Sequence, residues 1–158
     1  MLKRLVRVTP LVFLLAFNGC GNRQQTIATL VITLGHAVSM IATVQNNPEF
    51  AAKILADTQR LTQVVLEWKP GPPTDHVRQA IQVVRTDLDT ICDRITNCAP
   101  YKPLIAFALQ TLDSILAMVN NDMKAVSGAT APQTSEEFEK GWDGIAAQNP
   151  ATVPVEIH

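Results

Sequence analysis

The sequence predicts an all-α fold, an up-and-down bundle of four helices followed by a short C-terminal helix. Three observations predict it. In four successive stretches the apolar residues recur at spacings of three and four, the period of a helix with one buried face. The connections between those stretches are short and rich in Pro and Asn, which makes sequence neighbours antiparallel neighbours in space. With seven Gly, one Tyr and 5 % aromatic residues, the chain also lacks the turn glycines and strand-forming aromatics that sandwiches and barrels need.

Composition sets the outer bounds. The 158 residues give room for one ordinary domain, and at 47 % hydrophobic and 17 % charged they can bury a core. Lys+Arg 13 stands against Asp+Glu 14, with no basic block to track a phosphate backbone, so no nucleic-acid partner is expected.

The first mature helix is predicted over residues 24–46. It has no formal charge, and Ile27, Leu30, Val31, Leu34, Val38, Ile41 and Val44 form its apolar faces. Thr26, Thr29, Thr33, His36 and Thr43 leave only a narrow polar stripe, as on a helix with most of its girth covered. Asn47 can cap a second helix, with Pro48 in its first turn and Glu49 at its positive end. Phe50, Ile54, Leu61, Val65 and Trp68 supply the second stripe, and Glu49 with Lys53 and Asp57 with Arg60 stand at pairing distances on the solvent side. Pro70, Pro72 and Pro73 then end it. Thr74 or Asp75 can cap the third helix, whose seam is Val77, Ile81, Val84, Leu88, Ile91 and Ile95. A fourth starts near Pro103 with Ile105, Leu109, Leu112, Leu116, Val119 and Met123. Residues 125–133 have linker composition. Thr134 and Glu137 make a capping box, and Phe138, Trp142 and Ile145 fall on one side of a short fifth helix. That stripe must pack on something, either its own bundle or a partner.

The first twenty residues carry an address. Lys3, Arg4 and Arg7 form a positive region, Leu11 to Phe17 form an apolar run too short to span a bilayer, and Asn18-Gly19-Cys20-Gly21 follows. This pattern resembles the lipobox leader of bacterial lipoproteins, with Phe17 and Asn18 where that family prefers Leu and then Ala or Ser. The resemblance covers the leader alone. It implies a signal peptide over residues 1–19, cleavage before Cys20, acylation of Cys20, and a membrane partner reached through that lipid. Three basic residues and no acidic one precede Cys20, so the chain from there on carries ten basic against fourteen acidic residues.

An exported chain meets an oxidising compartment, so Cys92 and Cys98 are a candidate disulfide. On a continuous helix they would stand about 9 Å apart along the axis. A helix ending at Thr96, with Asn97 left-handed, would fold Cys98 back within reach.

Catalytic and ligand signals are sparse. His36, His76 and His158 show no i, i+4 pair for a metal. His36 with Met40 or Met118 could ligate haem, but no Cys-x-x-Cys-His is present and a hydrogen-bonded helix histidine accounts for it. Asp87, Asp89 and Asp93 read as a solvated helix face, and the chain has no Gly-x-Ser-x-Gly elbow or phosphate-binding glycine loop. The expectation is therefore a lipid-anchored cell-envelope protein, non-enzymatic and without cofactor, that serves as a structural or protein-interaction module toward an envelope partner. The alternatives are a carrier with an apolar or cofactor ligand between its helices, or a membrane-embedded protein if residues 27–45 span the bilayer.

Overall fold

The computed structural model describes residues 23–121 and 131–149. The leader with Cys20, the seam residue Met123, most of the linker and the tail beyond Asn149 lie outside the described residues. The order is α1 (Arg23–Val44), α2 (Pro48–Glu67), α3 (Asp75–Arg94), a 3-10 turn (Ala99–Tyr101), α4 (Lys102–Asn120) and α5 (Ser135–Ala147). Each of the first four helices packs on the next, α1 meets α4 to close the ring, and α5 lies over α1 and α4.

The end of α1 and the start of α2 share one device. Asn46 is left-handed at φ 57°, and the amides of Asn46 and Asn47 donate to the carbonyls of Thr43 (3.0 Å) and Ala42 (2.9 Å), which closes the helix as a Schellman cap. Asn47 then caps α2, its Oδ1 accepting from the Phe50 amide at 3.1 Å. At α3, Thr74 holds the cap position without a side-chain cap bond.

The α1–α2 interface is the most extensive in the bundle, and small residues make it so. Ala28, Gly35 and Ala42 recur every seven residues on α1 and are all buried. At Gly35 the helices come so close that an added Cβ would stand 2.7 Å from Thr58 Cβ. The Thr58 hydroxyl is buried there without cost in hydrogen bonds, because it donates to the carbonyls of Ile54 (2.9 Å) and Leu55 (3.0 Å).

The predicted seams of α2 and α3 are buried at every named position. That of α4 is rotated: Ile105, Leu112 and Val119 are buried, but Leu109 and Leu116 are only partly covered, and Leu104, Ala108 and Ile115 lie inside. The reason is that α4 faces three neighbours, α3, α1 and α5, so a single stripe understates its buried girth. Val44, read as apolar face, is exposed at the helix end. Within the predicted linker, Ala131 and Pro132 are buried.

The fifth helix packs on its own bundle. Phe138 and Trp142 are fully buried, and Ile145 packs against the core at its edge. Phe107 of α4 stacks on Phe138 with centroids 5.4 Å apart, and Phe138 meets Trp142 at 5.4 Å. Gly141 gives the Phe107 ring its place, since an added Cβ would stand 3.1 Å from its Cε2. The capping box forms with a shift of one residue: Thr134 Oγ1 accepts from the Glu137 amide (3.2 Å), and Glu137 Oε2 accepts from the Gln133 amide (2.8 Å). A 13-residue helix does not persist alone in water, so these two aromatics hold it. Trp142→Ala is expected to lower stability by about 3 kcal/mol or more, read as a drop in the urea denaturation midpoint; an unchanged midpoint would contradict the docking.

Candidate functional site

The described residues that combine charge, burial and proximity lie between α2 and α3. Lys53 and Asp57, one turn apart on α2, form an ion pair at 2.7 Å, and the Lys53 ammonium also pairs with Asp87 of α3. Asp87 follows Val84 by three residues and precedes Ile91 by four, so helix geometry sets it on the flank of the buried seam. It is 5 % exposed. This corrects the reading of Asp87, Asp89 and Asp93 as one solvated face, since only Asp89 and Asp93 are exposed. It also replaces the expected pairings of Lys53 with Glu49 and of Asp57 with Arg60. The signal was present in the sequence as a carboxylate at seam spacing.

Two carboxyl groups and one ammonium leave an excess negative charge, with Asp87 buried, Asp57 half-buried and Lys53 exposed. Oδ2 of Asp87 is fully buried and accepts no hydrogen bond, while both Asp57 and Asp87 accept from Lys53. A proton on Asp87 turns it into a donor toward Asp57 and removes the excess charge. Burial pushes the Asp87 carboxyl above the usual carboxylate range; the Lys53 bond opposes this and Asp57 adds to the rise. For Asp57, burial also pushes upward, but the bonds from Lys53 and Asp87 outweigh it and hold the group below its ordinary value. The cluster therefore ties two helices together, with the Asp87 carboxyl held above and the Asp57 carboxyl below their ordinary values.

Two open grooves flank this region. One, of about 230 Å³ between α2 and α3, is lined by Asp57, Arg60, His76 and Gln79 with Val64 and Val83. The other, of about 570 Å³, lies at the end of the bundle where α1 begins, with Arg23, Thr74, Arg78, Asn120 and Asn121 around the Pro70–Pro72 loop. Among the described residues no group of three or more His, Cys, Asp or Glu side chains is placed to hold a metal ion. Of the residues considered for haem, His36 is exposed on α1, Met40 is partly buried and Met118 is buried.

Cys92 and Cys98 form a disulfide with Cα atoms 5.1 Å apart. The route differs from expectation. α3 ends at Arg94, Ile95 is extended at φ −109° and ψ 149°, and Asn97 is not among the residues at positive φ. The chain turns two residues earlier than predicted because Ile95 belongs to the core, 7 % exposed. The same end is pinned by Gln45, whose Nε2 donates to the Tyr101 hydroxyl (3.1 Å) and whose Oε1 accepts from the Asn97 amide (3.1 Å). Asn47 Nδ2 donates to the Arg94 carbonyl at 2.8 Å. Comparison of the chain with protein-family models, curated proteins and solved structures finds no match.

The signs of the two carboxyl shifts give a pH profile. A raised Asp87 contributes stability below its unfolded pKa and loses it as pH climbs through the folded value; the lowered Asp57 contributes above the ordinary range and loses it on acidification. Asp87→Asn keeps a neutral donor in place, so it should gain stability relative to the wild type between about pH 4 and about pH 7, by about 1 kcal/mol. Urea denaturation at both pH values checks this, and a constant difference between the two proteins would refute it. Opening the Cys92–Cys98 loop with reductant should cost about 2 kcal/mol by chain-entropy arithmetic for seven residues, read as a lower thermal midpoint with the helical circular dichroism retained below it.

Proposed function

We propose that the chain is a lipid-anchored cell-envelope protein whose bundle acts as a non-enzymatic interaction module toward another envelope protein. The observation that carries the module reading is the outer face of α1. Gln25, Thr29, Ile32, His36 and Thr43 are exposed along it, with Ile32 45 % open, and no charged residue interrupts residues 24–48. On a helix of 22 residues that face is about 33 Å long. Depletion of charged residues is what sets interface cores apart from the rest of a protein surface, and this rigid helix face shares it. The ionisable cluster that the fold assembles, Lys53 with Asp57 and Asp87, serves helix packing in this reading.

The anchor reading rests on the leader and on its distance from the fold. Arg23 opens α1 only three residues after Cys20, a span of at most about 11 Å. A lipid on Cys20 thus stands the bundle close to the membrane, with the disulfide and the Gln45 network at the far end of α1. Acylated Cys20 should be the N-terminus of the protein recovered from the envelope, measured by mass spectrometry after detergent-phase partition. Cys20→Ser should move the protein out of the detergent phase, because two or three acyl chains bind a bilayer at about 0.8 kcal/mol per buried methylene. An unmodified Cys20 in the wild type would overturn the anchor. For the module, a photocrosslinker in place of Ile32 should capture one discrete partner band in cells, and one in place of exposed Val83 should not.

A further inference from the structure

The end of the bundle nearest the anchor has a composition of its own. Gln24 Nε2 donates to the Leu66 carbonyl (3.3 Å) and to that of Trp68, which fixes the start of α1 against the end of α2. Trp68 Nε1 donates to the Gly71 carbonyl at 3.1 Å, which holds the proline loop in place. Arg78 Nε donates to Asn120 Oδ1 at 3.2 Å, which brings the first turns of α3 to the last of α4. Between them lies the groove of about 570 Å³, lined by Arg23 and Arg78 and by no carboxylate. Lys69 is exposed on the adjoining loop, and so are Pro70, Pro72 and Pro73. Leu66 beside them is 50 % open. Glu67 and Asp75, also exposed here, leave these five charged residues with one net positive charge on a chain that is acidic beyond Cys20.

From this juxtaposition we infer that the Arg23, Lys69 and Arg78 end is a membrane-contact surface for anionic phospholipid. The guanidinium and ammonium groups meet headgroup phosphates, while Leu66 and the prolines sit at the interface. The occupant is a bilayer because of where the chain enters. Cys20 lies within about 11 Å of Arg23, so on the anchor reading proposed above this groove is the part of the protein held against the headgroups at high effective concentration. Arg presents paired donors to phosphate oxygens, and basic residues mixed with exposed apolar ones are what interfacial surfaces use. Lys53, Arg85 and Arg94 are engaged elsewhere, with Asp57 and Asp87, with Asp113 and over the Phe50 ring.

The test does not depend on acylation in the cell. Cys92 and Cys98 are joined, so a chain of residues 20–158 keeps Cys20 as its one thiol for coupling to a maleimide lipid. The core side chains described all lie between Ile27 and Trp142, so removal of the leader leaves the bundle whole. Amine labelling of Lys69 is compared by mass spectrometry on phosphatidylcholine vesicles with and without phosphatidylglycerol, with Lys102 at the other end of α4 as the internal reference. Each basic residue at an anionic surface is worth about fivefold in equilibrium, so Lys69 should react at least about threefold more slowly on the anionic vesicles. Lys102 should not change. Arg23→Gln with Arg78→Gln should abolish the protection, as should salt at about 1 M, where the screening length is about 3 Å. Equal Lys69 rates on both vesicles, or an equal fall at Lys102, would overturn the inference. Protection by inorganic phosphate without vesicles would also overturn it and assign the groove to a free anion. Native Cys20 found unacylated, with Lys69 still protected here, would overturn the anchor and leave the membrane-contact surface standing.

Discussion

The rest of the structure follows from the need to keep α1 out of water. A helix of 22 residues with one charged side chain, Arg23 at its first position, cannot expose half its surface without a large cost in apolar hydration. α1 therefore touches all four other helices. Its small residues let α2 approach until Gly35 meets Thr58, its large ones fill the ring toward α3 and α4, and α5 packs on a further side, which leaves the face of Gln25, Thr29, Ile32 and His36 exposed. The fifth helix is a lid on α1 and α4, and this explains why so short a segment carries two fully buried aromatics.

The sequence made the periodic elements readable and hid what depends on the number of neighbours. The seam of α3 is buried at all six predicted positions, because a helix at a corner of the ring buries one stripe and the spacing of three and four marks that stripe directly. Helix α4 carries α5 in addition to its ring neighbours, so its buried girth widens and the stripe drawn through Leu109 and Leu116 falls at its margin. The disulfide was readable from two cysteines in a chain expected to be exported, but the chain reversal was placed at Asn97. Core burial of Ile95 decided the actual turn, and no local turn signal reports that. Asp87 was the harder case. Its spacing put it on the seam, yet its chemistry argued for solvent, and only the long reach of Lys53 from another helix resolves the conflict. The groove at the end of the bundle could not be read, because Arg23, the Pro70–Pro72 loop and Asn120 that line it are far apart in sequence.

The two ends of the ring are closed by different means. At the far end the links are covalent or neutral: the Cys92–Cys98 bond, the Gln45 bridge between Tyr101 and Asn97, and Asn149 Nδ2 donating to the Pro100 carbonyl at 3.0 Å. At the near end no disulfide stands among the links: Gln24 on the end of α2 and Trp68 on its own loop are neutral hydrogen bonds, and Arg78 on Asn120 is the charged one of the three. The far end is thus closed covalently and the near end by hydrogen bonds.

The packing of α1 bears on its membrane-spanning reading. α1 and the stretch Ala99–Asn120 are both long and apolar enough to cross a bilayer by length and composition. Removing α1 into lipid would strip the cover from Phe50, Ile54, Leu61 and Val65 on α2 and from Phe138 and Trp142 on α5, all buried in the bundle. It would also forfeit the Gly35–Thr58 approach, which needs a partner helix and not acyl chains. The apolarity of α1 is thus accounted for inside the protein, by the four helices around it. On the anchor reading proposed above, what is left for the membrane is the end of the bundle where Arg23, Lys69 and Arg78 gather, and a lipid on Cys20 would bring that end, but not the length of α1, into contact.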